Sequence, residues 1–285
     1  MNRYKRLNIR IADVGIDIDG HHHLPKWEVP KAYRPFINGG KGEIAFQLHS
    51  GIPEFQVGEK AFDSAPIWSL HRHNGTSVIN IFDKFPDLKR VLVLPRHLEQ
   101  ADLYFTEKPD HRTGPFFGPT MELLLINYLA RERGIILHAC GVERQAKGYL
   151  FAGESGAGKS TLARLWDQEK DVEVLSDDRT IVRKQDGEFR MYGTPWHGDA
   201  PFGSPRGVRL EKIFFLDHAP RNAIRKLNGT DLMLQFLKCS FPPYWDAAGM
   251  EFSMEFFNEL ADGVSCRTLC FKPDKSVIEF VKEGK

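Results

Sequence analysis

The first part of the chain consists of short runs in which apolar and polar residues alternate. Such runs occur at Leu7–Ile11, Glu43–Leu48, Ser77–Ile81 and Arg90–Leu94, and Gly, Pro, Asn and Asp interrupt the chain between them. A period of two is typical of half-buried strands, and the interrupting residues are those that favour turns. The pattern predicts a β-rich N-terminal accessory region over residues 1–117.

The pattern of apolar positions changes near residue 118. The stretch T-M-E-L-L-L-I-N-Y-L-A-R-E-R-G is compatible with a helix that Thr120 caps and Gly134 closes. Strand-like runs then dominate from Ile135 onward. Further helices are expected after residue 158, over 230–238 and over 250–261. The sequence therefore predicts a second domain over residues 118–285 and a mixed α/β (α+β) fold class.

A glycine-rich stretch in this second domain fits the pattern G-x-x-x-x-G-K-[ST]. An apolar run, Y-L-F-A, precedes it and a helix-forming run, T-L-A-R-L-W, follows. Glycines let backbone N–H groups turn inward around phosphate oxygens, and the next helix adds the positive end of its dipole. The pattern predicts a loop that binds the phosphates of a nucleotide, formed by Gly153, Glu154, Ser155, Gly156, Ala157, Gly158, Lys159, Ser160 and Thr161.

The last residues of this loop have distinct predicted roles. Lys159 is expected to reach the β- and γ-phosphates, and the Ser160 hydroxyl is expected to bind Mg²⁺. ATP is favoured over GTP because the chain has no Asn/Thr-Lys-x-Asp string of the kind that recognises guanine. The expected cofactors are ATP and Mg²⁺.

Two adjacent aspartates, Asp177 and Asp178, follow the loop at a short distance. A helix from Lys159 to about Gln168 is roughly 15 Å long, and a strand over 172–176 returns by about 16 Å. The aspartates are therefore expected level with the phosphates. Successive side chains of a strand face opposite sides, so one carboxylate is expected to accept a proton and the other to bind Mg²⁺ or its waters.

The order of these motifs resembles the catalytic core of the HPr serine kinase/phosphorylase family, whose fold is related to phosphoenolpyruvate carboxykinase. The resemblance extends over residues 135–216. It rests on Leu137-His138-Ala139, then G-E-S-G-A-G-K-S, then Ser176-Asp177-Asp178, in the family's order and at similar spacing. The resemblance implies a P-loop kinase core of this type.

The resemblance also implies roles for individual residues. Asp177 would accept the proton of a serine hydroxyl, and Lys159 would stabilise the transferring phosphoryl group. His138 would support the site near Asp177. Ser160 and Asp178 would then bind Mg²⁺.

The sequence departs from the family's bifunctional members in one strand. Arg190-Met191-Tyr192-Gly193 stands where those members have a glutamate-arginine-glycine strand used in metal binding and phosphorolysis. This difference weakens HPr as the substrate and predicts a kinase that does not run in reverse.

The pattern Y-G-T-P-W-H-G-D that continues this strand resembles HPr-kinase-related proteins of bacterial biosynthetic and accessory gene clusters, some of which phosphorylate serine in small peptides. Its Asp199 is a candidate third metal ligand, although the Pro-Trp turn could instead be a structural corner. The family's later catalytic arginine has three candidates here, Arg206, Arg209 and Arg225.

Composition narrows the choice of partners. The formal charge is +1, with 39 basic and 38 acidic residues. This balance gives no reason to expect a nucleic acid or a membrane surface as partner. The basic start of the chain has no continuous apolar run, and the four cysteines lack the spacing of a zinc site or of a disulfide scaffold, which predicts reduced thiols. The predicted location is the cytoplasm.

These observations lead to one main functional hypothesis and two alternatives. The main hypothesis is an ATP- and Mg²⁺-dependent phosphotransferase that acts on a serine-type hydroxyl of a peptide, protein or small molecule. The alternatives are a carboxykinase-like enzyme acting on a small carboxylic acid and a regulator that binds ATP without transferring phosphate. Because the resembling family tends to form multimers, a homo-oligomer is possible.

Overall fold

A computed structural model of the chain describes residues 3–4, 6–20, 27–37, 40–54, 58–84, 86–106 and 114–283. It is a mixed α/β protein with two large mixed sheets and few helices. The chain divides into two compact units. The first contains residues 1–128 and 244–246, and the second contains residues 129–243 and 247–285.

The first unit is built mainly of strands, as the alternating pattern predicts. Its large sheet has the order β2-β3-β5-β10-β9-β8-β7-β6, and β1 pairs with β4 in a separate small sheet. The pairs β3–β5 and β5–β10 are parallel, and the other neighbours are antiparallel. The strands are β1 Arg3–Tyr4, β2 Arg6–Ile11, β3 Val14–Gly20, β4 Trp27–Glu28, β5 Ile44–Ser50, β6 Glu59–Ser64, β7 Trp68–His73, β8 Thr76–Lys84, β9 Asp87–Leu94 and β10 Gln100–Phe105.

Two helical segments belong to the same part of the chain. A short 3₁₀ helix spans Lys31–Phe36, and helix α1 spans Pro119–Leu129. The predicted domain boundary between residues 117 and 118 precedes α1, whereas the two compact units divide at the end of α1. The predicted domain limits stay a prediction.

The second unit contains the other large sheet. Its main path is β12-β11-β14-β15-β16-β18-β17, β13 pairs with β11, and β12 also pairs with β16. The strands are β11 Ile135–Arg144, β12 Lys147–Ala152, β13 Val172–Ser176, β14 Arg179–Gln185, β15 Glu188–Tyr192, β16 Gly207–His218, β17 Ala223–Lys226 and β18 Ser265–Phe271. The helices are α2 Lys159–Trp166, α3 Gly229–Lys238, α4 Ala247–Gly263 and α5 Ser276–Glu283.

Helices cover both faces of this second sheet. Successive strand residues point to opposite faces, and in β12 the side chains of Leu150 and Phe151 accordingly belong to different cores. Leu150 lies in a core that contains Phe236 of α3 and Phe257 of α4. Phe151 lies in a core that contains Trp166 of α2, together with residues of α5. Because both faces of the sheet are buried, the positions of the strand ends are fixed. The loops that follow these strands therefore start from fixed points.

The predicted start of helix α1 needs correction. Thr120 lies inside the helix and is fully buried, and its hydroxyl donates to the Pro115 carbonyl (3.0 Å) instead of capping. The helix begins at Pro119, which needs no hydrogen-bond acceptor for its nitrogen. The helix ends at Leu129, and the chain turns before Gly134, whose N–H donates to the Leu129 carbonyl. None of the helices in the described part of the chain combines the length and apolar character of a membrane span.

Candidate functional site

The predicted phosphate-binding residues lie between strand β12 and helix α2. Gly156 and Gly158 have φ values of +83° and +91°, which favour glycine. At Gly158 a Cβ atom would also lie 2.8 Å from the ring of Phe271, and at Gly153 it would lie 2.6 Å from the Cβ of Ala157. Gly158 forms the N-cap of α2, so the loop leads directly into the helix. The three glycines are therefore required by the path of the loop.

The remaining loop residues differ in exposure. Glu154, Ser155 and Thr161 are exposed, and Ser160 is half-buried in the first turn of α2. The first N–H groups of a helix have no partner within the helix, so those of α2 are available to an anion beside the loop.

Lys159 is a buried cation with contacts to the loop itself. Its side chain is 5% exposed, and its ammonium group donates to the carbonyl oxygens of Gly153 and Glu154, both at 2.9 Å. Burial lowers the pKa of Lys159, and the negative charge of Asp178 offsets this effect in part. A buried cation whose hydrogen bonds are to neutral carbonyl oxygens is suited to a negatively charged ligand such as phosphate.

Asp177 is a fully buried carboxylate that accepts three hydrogen bonds. The Ser160 hydroxyl donates to one oxygen at 3.0 Å, and the Ala200 N–H donates to the same oxygen at 2.9 Å. The Gly198 N–H donates to the other oxygen at 3.0 Å. Strand β13 thus brings Asp177 to the start of α2, and the two carboxylate oxygens are already occupied by donors of the chain.

The course of the chain explains this proximity. Strands β12 and β13 both run antiparallel to β11, which lies between them, so they run parallel to each other. Helix α2 connects them, and β13 has the predicted limits 172–176. Helix α2 ends at Trp166, two residues before its predicted end, and is about 12 Å long, whereas β13 is about 16 Å long. The turn over residues 167–171 makes up the difference, so the residue after β13 returns to the level of the loop.

Asp178 has a different environment from Asp177. Its side chain is 17% exposed, His138 Nε2 donates to one oxygen at 2.9 Å, and Arg179 is paired with the other oxygen. Burial raises the pKa of Asp178, but the His138 hydrogen bond and the charge of Arg179 outweigh burial and hold that pKa below its usual value. Asp178 is therefore an ionised carboxylate with some access to solvent. His138 lies against Asp178, whereas the resemblance placed it near Asp177.

A segment that we call the strap, residues 194–206, crosses the buried carboxylate. Its Gly198 leaves little room, since a Cβ atom there would lie 3.1 Å from an Asp177 oxygen. Trp196 is buried, whereas His197 and Asp199 are exposed. The strap is fixed at Asp199, whose carbonyl accepts a hydrogen bond from Arg164 of α2 (2.9 Å).

The three predicted arginines are all paired with carboxylates. Arg206, at the end of the strap, contacts Glu173 and also Glu143 at 2.7 Å. Arg209 lies 3.8 Å from Glu188, and Arg225 pairs with Asp217. None of these four ion pairs involves Asp177, Asp178 or Lys159.

The residues that sequence reasoning missed are Arg179 and Phe241. The Phe241 ring lies 5.0 Å from the Arg179 guanidinium and 5.9 Å from the His138 ring. The Phe241 N–H donates to the Ile136 carbonyl, so this segment runs along β11 beside the site. Arg179 could have been suspected because it directly follows the aspartates, whereas the only signal for Phe241 is that it lies in an aromatic-rich stretch.

The oxygen atoms at the site are of the type that binds Mg²⁺ in proteins. Ser160 and Asp177 provide adjacent oxygen atoms, and Mg²⁺ is usually held by one or two protein oxygens together with substrate phosphates and water. Among the described residues no group of three or more His, Cys, Asp or Glu side chains forms a metal cage. Asp199, a predicted ligand, is exposed on the strap.

Comparison with known proteins gives little independent information. No protein-family model matches the chain, and no curated protein matches it in sequence. One of the solved structures that it matches is the Hpr(Ser) kinase/phosphatase from Coxiella burnetii. The sequence identity is 13% and the TM-score is 0.24, and the match covers 45% of this chain and 92% of that chain. At this level of similarity, the function has to be argued from the site itself.

Proposed function

We propose that the second unit is a P-loop kinase that transfers the γ-phosphoryl group of ATP to a serine-type hydroxyl of a peptide, protein or small molecule. The observation that carries the proposal is the 3.0 Å hydrogen bond from Ser160 to the buried Asp177. It joins the last residue of the glycine-rich pattern to the first of the two aspartates. Lys159, a buried cation, stands directly before Ser160 at the start of the same helix.

The loop and helix α2 would bind the triphosphate. Backbone N–H groups of residues 154–160 would surround phosphate oxygens, and Lys159 would exchange its bonds to loop carbonyls for bonds to the β- and γ-phosphates. Ser160 would bind Mg²⁺ through a lone pair of its hydroxyl oxygen, and Asp177, which accepts the proton of that hydroxyl, would orient it. Mg²⁺ neutralises phosphate charge when bound. We expect little change in the backbone for this exchange, because the Lys159 ammonium already lies within the loop.

The geometry favours Asp178 as the proton acceptor, the reverse of the roles that the resemblance implies. Asp177 is fully buried, and the hydrogen bonds from Ser160, Gly198 and Ala200 hold the chain over it, so an acceptor hydroxyl cannot reach it while these bonds persist. Asp178 retains some exposure, and His138 and Arg179 orient it. The role of Asp177 as proton acceptor, which the resemblance implies, stays an untested prediction.

In the proposed reaction the acceptor oxygen attacks the γ-phosphorus, and the bond from that phosphorus to the β-phosphate oxygen breaks. The acceptor proton passes to Asp178, and the products are a phosphate ester and ADP. Lys159 offsets the negative charge on the transferring group. The chain itself has mainly to position the acceptor in line and to receive one proton.

The carboxykinase alternative has less support than the kinase. It requires an anion pocket rich in arginine, and each of Arg206, Arg209 and Arg225 is paired with a carboxylate. The regulator alternative also requires ATP binding, so an experiment that detects phosphoryl transfer is needed to distinguish it from the kinase.

The test is incubation of the purified chain with γ-labelled ATP and Mg²⁺, first alone and then with serine and serine-containing peptides. Label on an acceptor, lost in Lys159→Ala, supports the kinase. Binding of ATP without transfer to any acceptor supports the regulator. Absence of nucleotide binding contradicts both.

A further inference from the structure

Three parallel strands of the second unit end at one edge of the sheet. Strand β12 runs parallel to β16, with Ala152 opposite Phe215, and β16 runs parallel to β18, with His218 opposite Phe271. In α/β sheets, ligands bind beyond the carboxyl ends of parallel strands. The proposed phosphate loop follows β12, but the proposed reaction makes no use of the ends of β16 and β18.

The end of β16 reaches the phosphate loop through His218. Its Nε2 atom lies 3.1 Å from the carbonyl oxygen of Gly156. Because a carbonyl oxygen only accepts hydrogen bonds, Nε2 carries the proton and donates. This bond fixes the polar edge of the imidazole to the tip of the loop.

One face of the His218 ring is held by an aromatic neighbour. The ring centroids of His218 and Phe271 are 5.4 Å apart with an interplanar angle of 27°. Phe271 is fully buried and His218 is exposed. The imidazole therefore rests on the core on one side and presents the rest of its surface to solvent beside the loop.

Hydrogen bonds connect the two segments that flank the His218 ring. The Ala219 N–H donates to the Phe271 carbonyl at 3.0 Å. The Asn222 side chain donates to Ser276 and accepts from the Lys272 N–H, both at 2.9 Å. These bonds join the segment after β16 to the segment after β18, so His218 stands on a fixed support.

The sheet order determines which part of a nucleotide would meet His218. The strands run β13, β11, β12, β16 and β18 across the sheet, with β12 leading into the loop. Asp178 follows β13 on one side of β12, and His218 ends β16 on the other side. A γ-phosphate directed toward Asp178 leaves the nucleoside end directed toward His218.

We propose that His218 is a platform on which the nucleobase of the bound nucleotide stacks. This inference rests on the proposed nucleotide binding and adds the subsite for the base. A flat, fixed aromatic ring offers a π-face to any base, so stacking here strengthens binding without selecting between ATP and GTP. His218 would contact the nucleobase and would take no part in proton transfer.

The test compares Mg²⁺-ATP with Mg²⁺-tripolyphosphate, which lacks base and ribose, by titration calorimetry. His218→Ala removes the ring, and we expect ATP to bind about 5- to 100-fold more weakly while tripolyphosphate binding is unchanged. His218→Phe keeps a ring without the hydrogen bond to Gly156, and we expect ATP affinity within about threefold of the wild-type value. Asp217→Ala changes the neighbouring exposed residue and serves as the matched control, with unchanged ATP affinity.

Equal weakening of ATP and tripolyphosphate in His218→Ala would mean that the histidine only supports the loop, and it would overturn the platform. Unchanged ATP affinity in the same variant would overturn it as well. Both results leave the proposed kinase intact if the wild-type chain binds ATP and Lys159→Ala does not. If the wild-type chain binds neither ligand, the proposed function fails, and the platform fails with it.

Discussion

Substituting the two aspartates one at a time separates their roles. Asp177→Asn keeps the shape of a fully buried side chain that accepts three hydrogen bonds. The amide has only one accepting oxygen, and its NH₂ group must face one of the chain's donors. Asp178→Asn changes a side chain that is 17% exposed, and the asparagine oxygen still accepts a bond from His138.

The expected magnitude for Asp177→Asn follows from these bonds. The N–H of Gly198, whose bond to Asp177 is partly buried, loses its charged acceptor, at a cost of about 1–3 kcal/mol. The bonds from Ser160 and Ala200 change from charge-assisted to neutral and lose about 1 kcal/mol each. The free energy of unfolding should fall by about 3–5 kcal/mol, a large part of the 5–15 kcal/mol that is typical of a folded protein.

For Asp178→Asn we expect a smaller loss of stability and a larger loss of transfer. Water can replace part of its hydrogen bonding, so the free energy of unfolding should fall by about 1–2 kcal/mol. The amide cannot accept the acceptor's proton, and transfer should slow by about 10²- to 10⁴-fold while ATP binding persists.

The assays are urea unfolding and transfer of label from γ-labelled ATP. Asp171→Asn, an exposed aspartate in the turn before β13, is the control and should change stability by less than about 0.5 kcal/mol. The reasoning is refuted if Asp177→Asn unfolds like the wild type, or if Asp178→Asn transfers phosphate at the wild-type rate. Loss of transfer in a fully stable Asp177→Asn would restore the roles that the sequence predicts.

Further predictions concern the loop and the pH dependence. Lys159→Ala should abolish transfer of label without changing the circular dichroism spectrum, because in the proposed reaction the ammonium group contacts the phosphates. Ser160→Ala should weaken ATP binding mainly when Mg²⁺ is present, and equal losses with and without Mg²⁺ in calorimetry would indicate a packing role. Gly158→Ala should lower the free energy of unfolding by about 1–3 kcal/mol more than Gly156→Ala, because both share a positive φ but only Gly158 faces the Phe271 ring. The pKa of Asp178 lies below its ordinary 3.8, so its charged contacts stabilise the fold fully above that pH and are lost as pH falls through the folded pKa. Urea unfolding should accordingly show that the stability difference between wild type and Asp178→Asn shrinks only below about pH 4.

Some features of the site could be predicted from the sequence, because they depend only on the backbone geometry of a few consecutive residues. The glycine pattern specified the backbone turn before α2, and the structure has positive φ at Gly156 and Gly158. The lengths of α2 and β13 predicted that the aspartates return to the level of the loop, and Asp177 lies 3.0 Å from Ser160. Each inference depends only on the rise per residue of one helix and one strand.

Other features depend on contacts between residues far apart in the chain. The alternation of side chains along a strand predicts that Asp177 and Asp178 face opposite sides. It does not predict which of the two sides is buried. The strap decides this, because the N–H groups of Gly198 and Ala200, more than twenty residues away, saturate Asp177 and leave Asp178 accessible. Phe241 is likewise brought to His138 only because its segment runs along β11.

The sequence by itself therefore determined which residues could bind phosphate and that two carboxylates lie beside them. Only the tertiary structure decided which carboxylate is open to an acceptor, and that His218 at the end of β16 borders the loop. The physical reason is that helix and strand periodicity act over a few residues. Burial and hydrogen-bond partners depend instead on which strands become neighbours, and local patterns do not encode that order.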